Sequence, residues 1–210
     1  MGNPESTPSR RGRPPSGSQP QREAEILDAA MAALLDVGYE RATTEAIARR
    51  AKASKQTLYT WFGDREGIFR ALIERNAESV LPTLKLDPNG DPAATLTDFA
   101  RRLLTLLTGP ESVALNRAAM ASPELAATLR QAGRDRIGPL VAGWLDAQHR
   151  AGRLRIDDSE AAFRRLYGLV IADRQIAALL GQPQPSRRVL NEEADTAVAA
   201  FMWLHGPHSR

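Results

Sequence analysis

Closely spaced helix-start and helix-stop residues near the N-terminus constrain the fold more than any other feature of the sequence. Apolar residues recur every three or four positions from Ile26 to Leu35, which predicts an amphipathic helix. N-cap residues and glycines alternate behind it, and they predict three more helices. These stop and start positions are Gly38, Thr43–Thr44, Ser54 and Gly63–Asp64. Two short helices therefore lie between two longer ones, the last running from Arg65 to about Leu81.

The rest of the chain is also punctuated as helices. Pro82 and the run DPNGDP at residues 87–92 form a turn-rich junction. The helices predicted beyond it are Pro92–Thr108, a short segment from Pro110, Pro123 toward Ala151 with a kink or break at Gly138–Pro139, Asp158–Leu180, and Ser186 to about Leu204. No alternation with a period of two and no internal repeat is found, so the sequence predicts an all-α fold.

Composition divides the chain and excludes several protein classes. Residues 1–20 are rich in Pro, Gly, Ser and Arg, which predicts a disordered basic arm. We place a three-helix unit at residues 21–65 and a larger helical domain at residues 66–210. The absence of cysteine excludes disulfides and thiolate metal sites. No apolar run reaches the length of a membrane span and the start is polar, so we expect a cytoplasmic protein without a membrane partner.

Positive charge is concentrated in the first quarter of the chain. The net charge is +3, but residues 10–22 carry +4 and residues 41–55 carry another +4, which leaves −5 for the remainder. This asymmetry favours an anionic partner for the N-terminal quarter. A solvated basic surface without a partner is the alternative.

The segment TTEAIARRAKASKQTLYTWF, which ends at Phe62, has the layout of a helix-turn-helix. Ile47 and Ala48 of its first helix point inward, and Leu58 and Phe62 of the second are buried four residues apart. Polar side chains then face outward near the start of the second helix. Such groups suit base edges and phosphates in the major groove of DNA.

Residues 22–75 resemble the N-terminal DNA-binding domain of TetR-family transcriptional regulators. The matching residues are Gly38-Tyr39, Thr43-Thr44, Ile47-Ala48, Ser54, Thr57-Leu58-Tyr59, Phe62 and Arg65-Glu66. Lys52-Ala53 stands where Gly-Val is usual, and Gln56 where a small residue is common. The segments SPELAATLRQAG and AGRLRIDD, with the final helix, resemble the C-terminal domain of the AefR-like subset. The resemblance implies a DNA-binding domain joined to a larger ligand-binding and dimerisation domain.

The resemblance assigns DNA contacts residue by residue. The DNA-binding candidates are Arg10, Arg11, Arg13, Thr43, Thr44, Lys55, Gln56, Thr57, Tyr59, Thr60, Trp61 and Arg65. Lys55 and Gln56 are our candidates for base contacts, because Lys pairs with guanine and Gln with adenine. For Trp61, packing in the protein is the alternative to a phosphate contact. The arginines of the arm would enter the minor groove, and a merely disordered tail is the alternative.

The last two helices carry apolar stripes, and in the TetR family such helices form a twofold dimer. The candidate interface residues are Ala161, Gly168, Leu169, Ala172, Ile176, Leu180, Val198 and Phe201. Burial of both stripes within one chain is the alternative. The family also implies a pocket for a small, largely apolar effector, with Leu103, Leu107, Arg117, Met120, Trp144, Tyr167, Val170 and Arg174 as candidates. The charged members would either meet the ligand or pair within the protein.

The sequence therefore predicts a dimeric, ligand-responsive transcriptional regulator, most simply a repressor that binds a pseudo-palindromic DNA operator and is released by its effector. The alternative is an architectural helical protein that binds nucleic acid without regard to sequence. We predict no enzyme activity, because no catalytic motif is recognised, and we predict no cofactor and no metal site.

Overall fold

The computed structural model describes residues 19–207, and within that range it contains helices and no strand. The helices are α1 (Gln19–Arg41), α2 (Thr44–Arg50), α3 (Lys55–Phe62), α4 (Arg65–Val80), α5 (Pro92–Thr108), α6 (Pro110–Met120), α7 (Pro123–Ala132), α8 (Arg134–Arg150), α9 (Ser159–Ile171), α10 (Arg174–Leu179) and α11 (Arg187–His205). A 3-10 turn, Leu81–Thr83, follows α4. The all-α prediction is confirmed. Most of the predicted arm, with Arg10, Arg11 and Arg13, lies outside the described residues.

Side-chain caps begin seven of the helices. In each case an oxygen of the residue before the helix accepts a hydrogen bond from an amide in the first turn, which satisfies a donor that the helix leaves free. The capping residues are Thr43, Ser54, Asp64, Asp91, Ser122, Asp158 and Ser186. Gly38 interrupts α1 with a φ of 75°, a conformation that an L side chain rarely adopts. Helix starts and the first helix stop are therefore encoded locally.

The N-terminal core extends beyond the three-helix unit. Buried side chains of α1, α2 and α3 pack with Ile68, Phe69 and Leu72 of α4. The same cluster includes Leu115 of α6 and Leu125 of α7. Because these apolar side chains share one buried core, α4, α6 and α7 are packed tightly against the helix-turn-helix unit.

A second core lies among α5, α8, α9 and α11. Phe99, Trp144 and Phe201 are among its buried aromatic residues. The long α5 and α11 pack side by side. Arg101 and Asp195 join them through two hydrogen bonds of 2.7 and 2.6 Å, and these bonds lower the pKa of the Asp195 carboxyl.

The predicted helix from Pro123 toward Ala151 breaks at Gly133 and not at Gly138–Pro139. Gly133 leaves the helical conformation with φ −100° and ψ −95°, and a Cβ there would lie 3.0 Å from Leu129 O. Pro139 is accommodated inside α8, little more than a turn from its start, where few preceding helical bonds are disturbed. Gly138 has a packing role, since a Cβ would lie 3.1 Å from the Phe163 ring.

The predicted helix Asp158–Leu180 is also divided. It ends at Ile171, and Ala172 has a φ of 44° before α10 begins at Arg174. The apolar pattern alone suggests one continuous helix, because it reports burial and not backbone geometry. Hydrogen bonds from Arg117 of α6 to α10, and from Arg174 of α10 to α11, hold α10 as a helix separate from α9.

Candidate functional site

Side-chain hydrogen bonds cap the N-termini of both helices of the helix-turn-helix unit, α2 and α3. Thr43 Oγ1 accepts a hydrogen bond from the Ala46 N–H at 3.2 Å, and Ser54 Oγ accepts one from the Thr57 N–H at 3.0 Å. Leu58 is buried in the N-terminal core. One side of α3 is therefore anchored while the other side is free.

The turn between α2 and α3 passes through Lys52, whose φ of 50° lies in the left-handed region. The backbone thus keeps a conformation that favours glycine, although Lys occupies the position where the resembling family usually has Gly. The Arg22 guanidinium of α1 donates hydrogen bonds to Ala51 O and Lys52 O, both at 2.7 Å. These bonds fix the turn that positions α3.

The free side of α3 carries four exposed polar side chains, from Lys55, Gln56, Tyr59 and Thr60. The Thr60 hydroxyl donates a hydrogen bond to Gln56 O at 2.8 Å. Lys55 Nζ lies 3.0 Å from Glu45 Oε2, and both side chains are exposed, so this ion pair is weak enough for a phosphate to displace. A cation, an amide and two hydroxyls on one helix face are the groups that contact phosphates and base edges.

The other predicted contacts of this unit have intramolecular roles as well. The Thr43 side chain caps α2, and Thr44 begins that helix half-buried. The Thr57 and Ser54 hydroxyls share a hydrogen bond of 2.8 Å. Trp61 is half-buried against the N-terminal core, so packing accounts for part of its side chain and the exposed part remains available to DNA.

Arg65 fastens the start of α4 to the chain just before α2. Its Nε donates a hydrogen bond to Ala42 O at 3.1 Å, and its Nη2 donates one to Tyr39 O. The guanidinium carbon lies 4.0 Å from the centre of the Tyr39 ring. Burial raises the pKa of Tyr39, and the charge of Arg65 acts in the opposite direction. Only the N–H groups of Arg65 that are not used in these bonds are left for a phosphate.

A cavity of about 400 Å³ lies between the C-terminal part of α4 and helices α5 to α10. This volume falls at the small end of the range for small-molecule sites. Most of its lining is aliphatic, with the side chains Ile73, Ala77, Val80, Leu81, Leu84, Leu103, Leu106, Leu107, Ala119, Met120, Ala126, Leu129, Ala132 and Ile137. The cavity is thus suited to a largely apolar molecule.

Four of the eight predicted pocket residues line this cavity: Leu103, Leu107, Met120 and Tyr167. Trp144 and Val170 do not line it; both are packed within the second core. The Trp144 indole donates a hydrogen bond to Asp87 O at 2.8 Å, which ties the 87–92 turn to α8. Helical spacing identified these two as inward-facing but could not tell a packed interior from a cavity wall.

Arg117 and Arg174 also lie outside the cavity lining, because both guanidinium groups are engaged with the protein. Arg117 donates hydrogen bonds to Ala178 O at 3.0 Å and Leu179 O at 3.1 Å, at the C-terminal end of α10. Arg174 makes a bidentate ion pair with Glu193 of α11. Arg174 is therefore in an internal ion pair, the alternative left open by the sequence, whereas Arg117 is bound by backbone carbonyls and not by a carboxylate.

Several polar residues of the cavity were missed by the sequence reasoning. They are Asn76, Ser112, Asn116, Arg130, Arg134 and Gln175. Each lies on a helix whose apolar neighbours marked it as amphipathic, and no motif distinguishes a polar residue at a cavity from one at the surface. Only the packing of several helices around one space brings these positions together.

The predicted dimer residues fall into two groups. Gly168, Leu169, Ala172, Ile176 and Leu180 are exposed and Ala161 is partly exposed. Val198 and Phe201 are wrong as surface residues, because they are 2% and 0% exposed within the second core. The exposed apolar residues of α11 are instead Trp203 and Leu204. Two apolar stripes on one helix do not tell from the sequence which of them is buried within the chain.

No group of three or more His, Cys, Asp or Glu side chains between residues 19 and 207 could hold a metal ion. Over the same part of the chain, no helix combines the length and apolar character that crossing a membrane requires.

Comparison with known families matches both parts of the chain. Residues 26–72 match the profile "Bacterial regulatory proteins, tetR family", and residues 94–207 match "AefR-like transcriptional repressor, C-terminal domain". The chain belongs to the TetR family. This is a family of transcriptional regulators and not of enzymes. The resemblance inferred from the helix-turn-helix residues is confirmed, as is the AefR-like character of the larger domain.

Individual TetR-family proteins are similar to the chain over different lengths. A TetR transcriptional regulator from Agrobacterium tumefaciens is 37% identical, with a TM-score of 0.77, over 90% of this chain and 96% of that one. The A-factor receptor protein of Streptomyces griseus is 37% identical over 35% of this chain. The regulator BetI of Serratia proteamaculans is 36% identical over 40% of it. The chain spans 25% and 44% of the lengths of these two curated relatives.

Proposed function

We propose that this TetR-family protein is a transcriptional repressor that binds a pseudo-palindromic DNA operator as a homodimer in the cytoplasm and is released by a small-molecule effector. The observation that carries the proposal is the free face of α3, where Lys55, Gln56, Tyr59 and Thr60 are exposed on a capped and anchored helix. The family membership supports the same assignment of this face to the major groove.

A dimer is required because a single short helix contacts too few base pairs to select one site. Two copies would place their α3 helices about one DNA turn apart, roughly 34–36 Å. The exposed apolar side chains of α9, α10 and α11 support a dimer face, since leaving Ile176, Leu180 and Trp203 in water is unfavourable.

Release by an effector follows from the position of α4. This helix begins directly after the helix-turn-helix unit, and its residues Ile73, Asn76, Ala77 and Val80 line the cavity. A ligand that favours a different position of α4 would lower the affinity for DNA by the ratio of its own affinities for the two conformations. One relative is named the A-factor receptor protein, and a receptor is a protein that binds a ligand, which supports an effector-binding role for this chain.

The test is fluorescence anisotropy with labelled duplexes from the region upstream of the gene, titrated over a range of salt concentrations. A repressor keeps a preference for one duplex over a scrambled duplex as salt rises, whereas the architectural alternative binds both equally with the same steep salt dependence. Gln56→Ala should reduce the preference by about tenfold, because one bidentate base contact is lost. Gln131→Ala, on the exposed side of α7, is the control and should leave the preference unchanged.

A further inference from the structure

The charges that line the cavity are all of one sign. Of its 22 lining residues, two are arginines, Arg130 and Arg134, and none is an Asp or Glu. Both arginine side chains are exposed to solvent. A cationic ligand beside them would face positive charge with no carboxylate in the lining, and like charges at contact distance repel each other. The lining therefore discriminates against cations and favours ligands with a negative group.

The two arginines differ in how much of their charge is already used. Arg130 forms an ion pair with Asp135, so its charge is largely compensated. Arg134 has no carboxylate within ion-pairing distance among residues 19–207; its guanidinium instead lies over the Tyr167 ring, 4.7 Å from the ring centre. Arg134 is thus a cation at the cavity that is held in place by stacking and still has its hydrogen-bond donors to offer.

Tyr167 supplies a second donor beside this arginine. Its ring packs against Phe163, with 5.9 Å between the ring centres, and its hydroxyl forms no hydrogen bond with residues 19–207. Burial raises the pKa of Tyr167, which Arg134 partly opposes. The hydroxyl therefore keeps its proton at neutral pH and is able to donate a hydrogen bond to a ligand.

We propose that the cavity binds an amphipathic carboxylate, with the carboxylate at Arg134 and Tyr167 and an apolar body along Leu103, Leu107 and Ile137. This inference rests on the proposed function in taking the cavity as the effector site, and it names the class of effector. A carboxylate accepts from both donors at once, and hydrogen bonds between two charged partners are the strongest in this set. The aliphatic walls give an alkyl or aromatic body its hydrophobic contribution.

Isothermal titration calorimetry on the full chain without DNA tests the class of ligand. Decanoate is compared with 1-decanol and decylamine, which have the same chain length but neutral and positive head groups, and 2-naphthoate tests an aromatic body. At least one carboxylate should bind about tenfold or more tightly than 1-decanol, with decylamine weakest. Equal binding of decanoate, 2-naphthoate and 1-decanol, tighter binding of decylamine, or no binding of either carboxylate would overturn the proposal.

Two arginines on the same helix give a matched pair of variants. Arg134→Met removes the charge at the cavity while keeping a side chain of similar length, and it should weaken binding of the better carboxylate by about tenfold without changing binding of 1-decanol. Arg136 is exposed, as Arg134 is, but it does not line the cavity, so Arg136→Met should leave both affinities unchanged. Circular dichroism checks that both variants are folded. Equal losses in the two variants would overturn the assignment of Arg134.

The outcome for the ligand and the outcome for the proposed repressor can be told apart. Calorimetry without DNA reports only on the cavity, and anisotropy without ligand reports only on the DNA interface. If carboxylate binding depends on Arg134 while the duplexes are bound without preference, the cavity assignment is supported and the repressor proposal fails. If a duplex is preferred while no carboxylate binds, the class of effector is wrong and DNA recognition stands.

Discussion

Ser122 Oγ donates a hydrogen bond of 2.6 Å to Glu66 Oε1. This bond joins the N-terminus of α7 to the first turn of α4, and the same Ser122 oxygen caps α7 by accepting from the Leu125 N–H at 3.3 Å. Ser122 is buried. One side chain thus starts a helix of the cavity wall and connects that helix to the one that follows the DNA-binding unit.

We expect Ser122→Ala to lower the free energy of unfolding by about 2–3 kcal/mol, because a helix cap and a bond to a carboxylate are lost together. The control is Ser186→Ala, which removes a cap of α11 alone and should cost about 1 kcal/mol. Urea unfolding followed by tryptophan fluorescence measures both. Equal losses in the two variants would mean that the bond to Glu66 contributes nothing to stability.

Glu45→Gln should strengthen DNA binding. Glu45 pairs with Lys55 on the proposed DNA-binding face, so removing its charge frees the lysine and removes repulsion of phosphates. A charge effect of about 1 kcal/mol at contact distance corresponds to about fivefold in affinity, and it should shrink as salt is added. Glu192→Gln is the control, since it removes the same charge from an exposed ion pair on α11. Anisotropy titrations that show the same change for both variants would contradict the position of this face.

Lys52→Gly should stabilise the protein by about 0.5–1 kcal/mol. The left-handed φ of Lys52 is costly for an L side chain and free for glycine, while the carbonyl that accepts from Arg22 is kept. Arg49→Gly removes an equal charge from a helical position of α2 and should destabilise by about 1 kcal/mol. Thermal and urea unfolding measure both variants, and the two variants should change the free energy of unfolding in opposite directions. A loss of stability in both would show that Lys52 is not strained.

Ile176→Glu should convert a dimer into a monomer. Ile176 is 61% exposed on the proposed dimer face, and a buried charge without a partner opposes association. Leu140→Glu is a close control, because Leu140 of α8 is 62% exposed and lies outside the proposed face. Light scattering coupled to size-exclusion chromatography measures the mass of each variant. A Leu140 variant that dissociates, or an Ile176 variant that stays dimeric, would contradict this interface.

Most of the fold was predictable because its signals are local. Caps such as Thr43, Ser54 and Ser186, and the stop at Gly38, act within one helical turn, so a short window of sequence contains all of their partners. The break at Ala172 could not be predicted in this way. It depends on contacts of α10 with α6 and α11, made by residues distant in the chain.

The candidate site was predictable in unequal parts. The exposed face of α3 follows from which residues of a short helix are buried, and Leu58 alone fixes that side. The cavity lining does not follow, because apolar residues on a helix look the same whether they meet another side chain or an open space. Val198 and Leu103 have the same apolar character in the sequence, yet one is packed in the core and the other also borders the cavity.

The sequence by itself determined the helix-turn-helix unit, the family, the helix starts and the concentration of positive charge near the N-terminus, since each depends on residues that are neighbours along the chain. Only the tertiary structure decided that Arg117 binds Ala178 O and that Arg174 pairs with Glu193. It also decided that Arg134 and Tyr167 meet at the cavity and that Ser122 is joined to Glu66. These relationships unite residues from different helices. Their distances are set by how the helices pack, which no local pattern specifies.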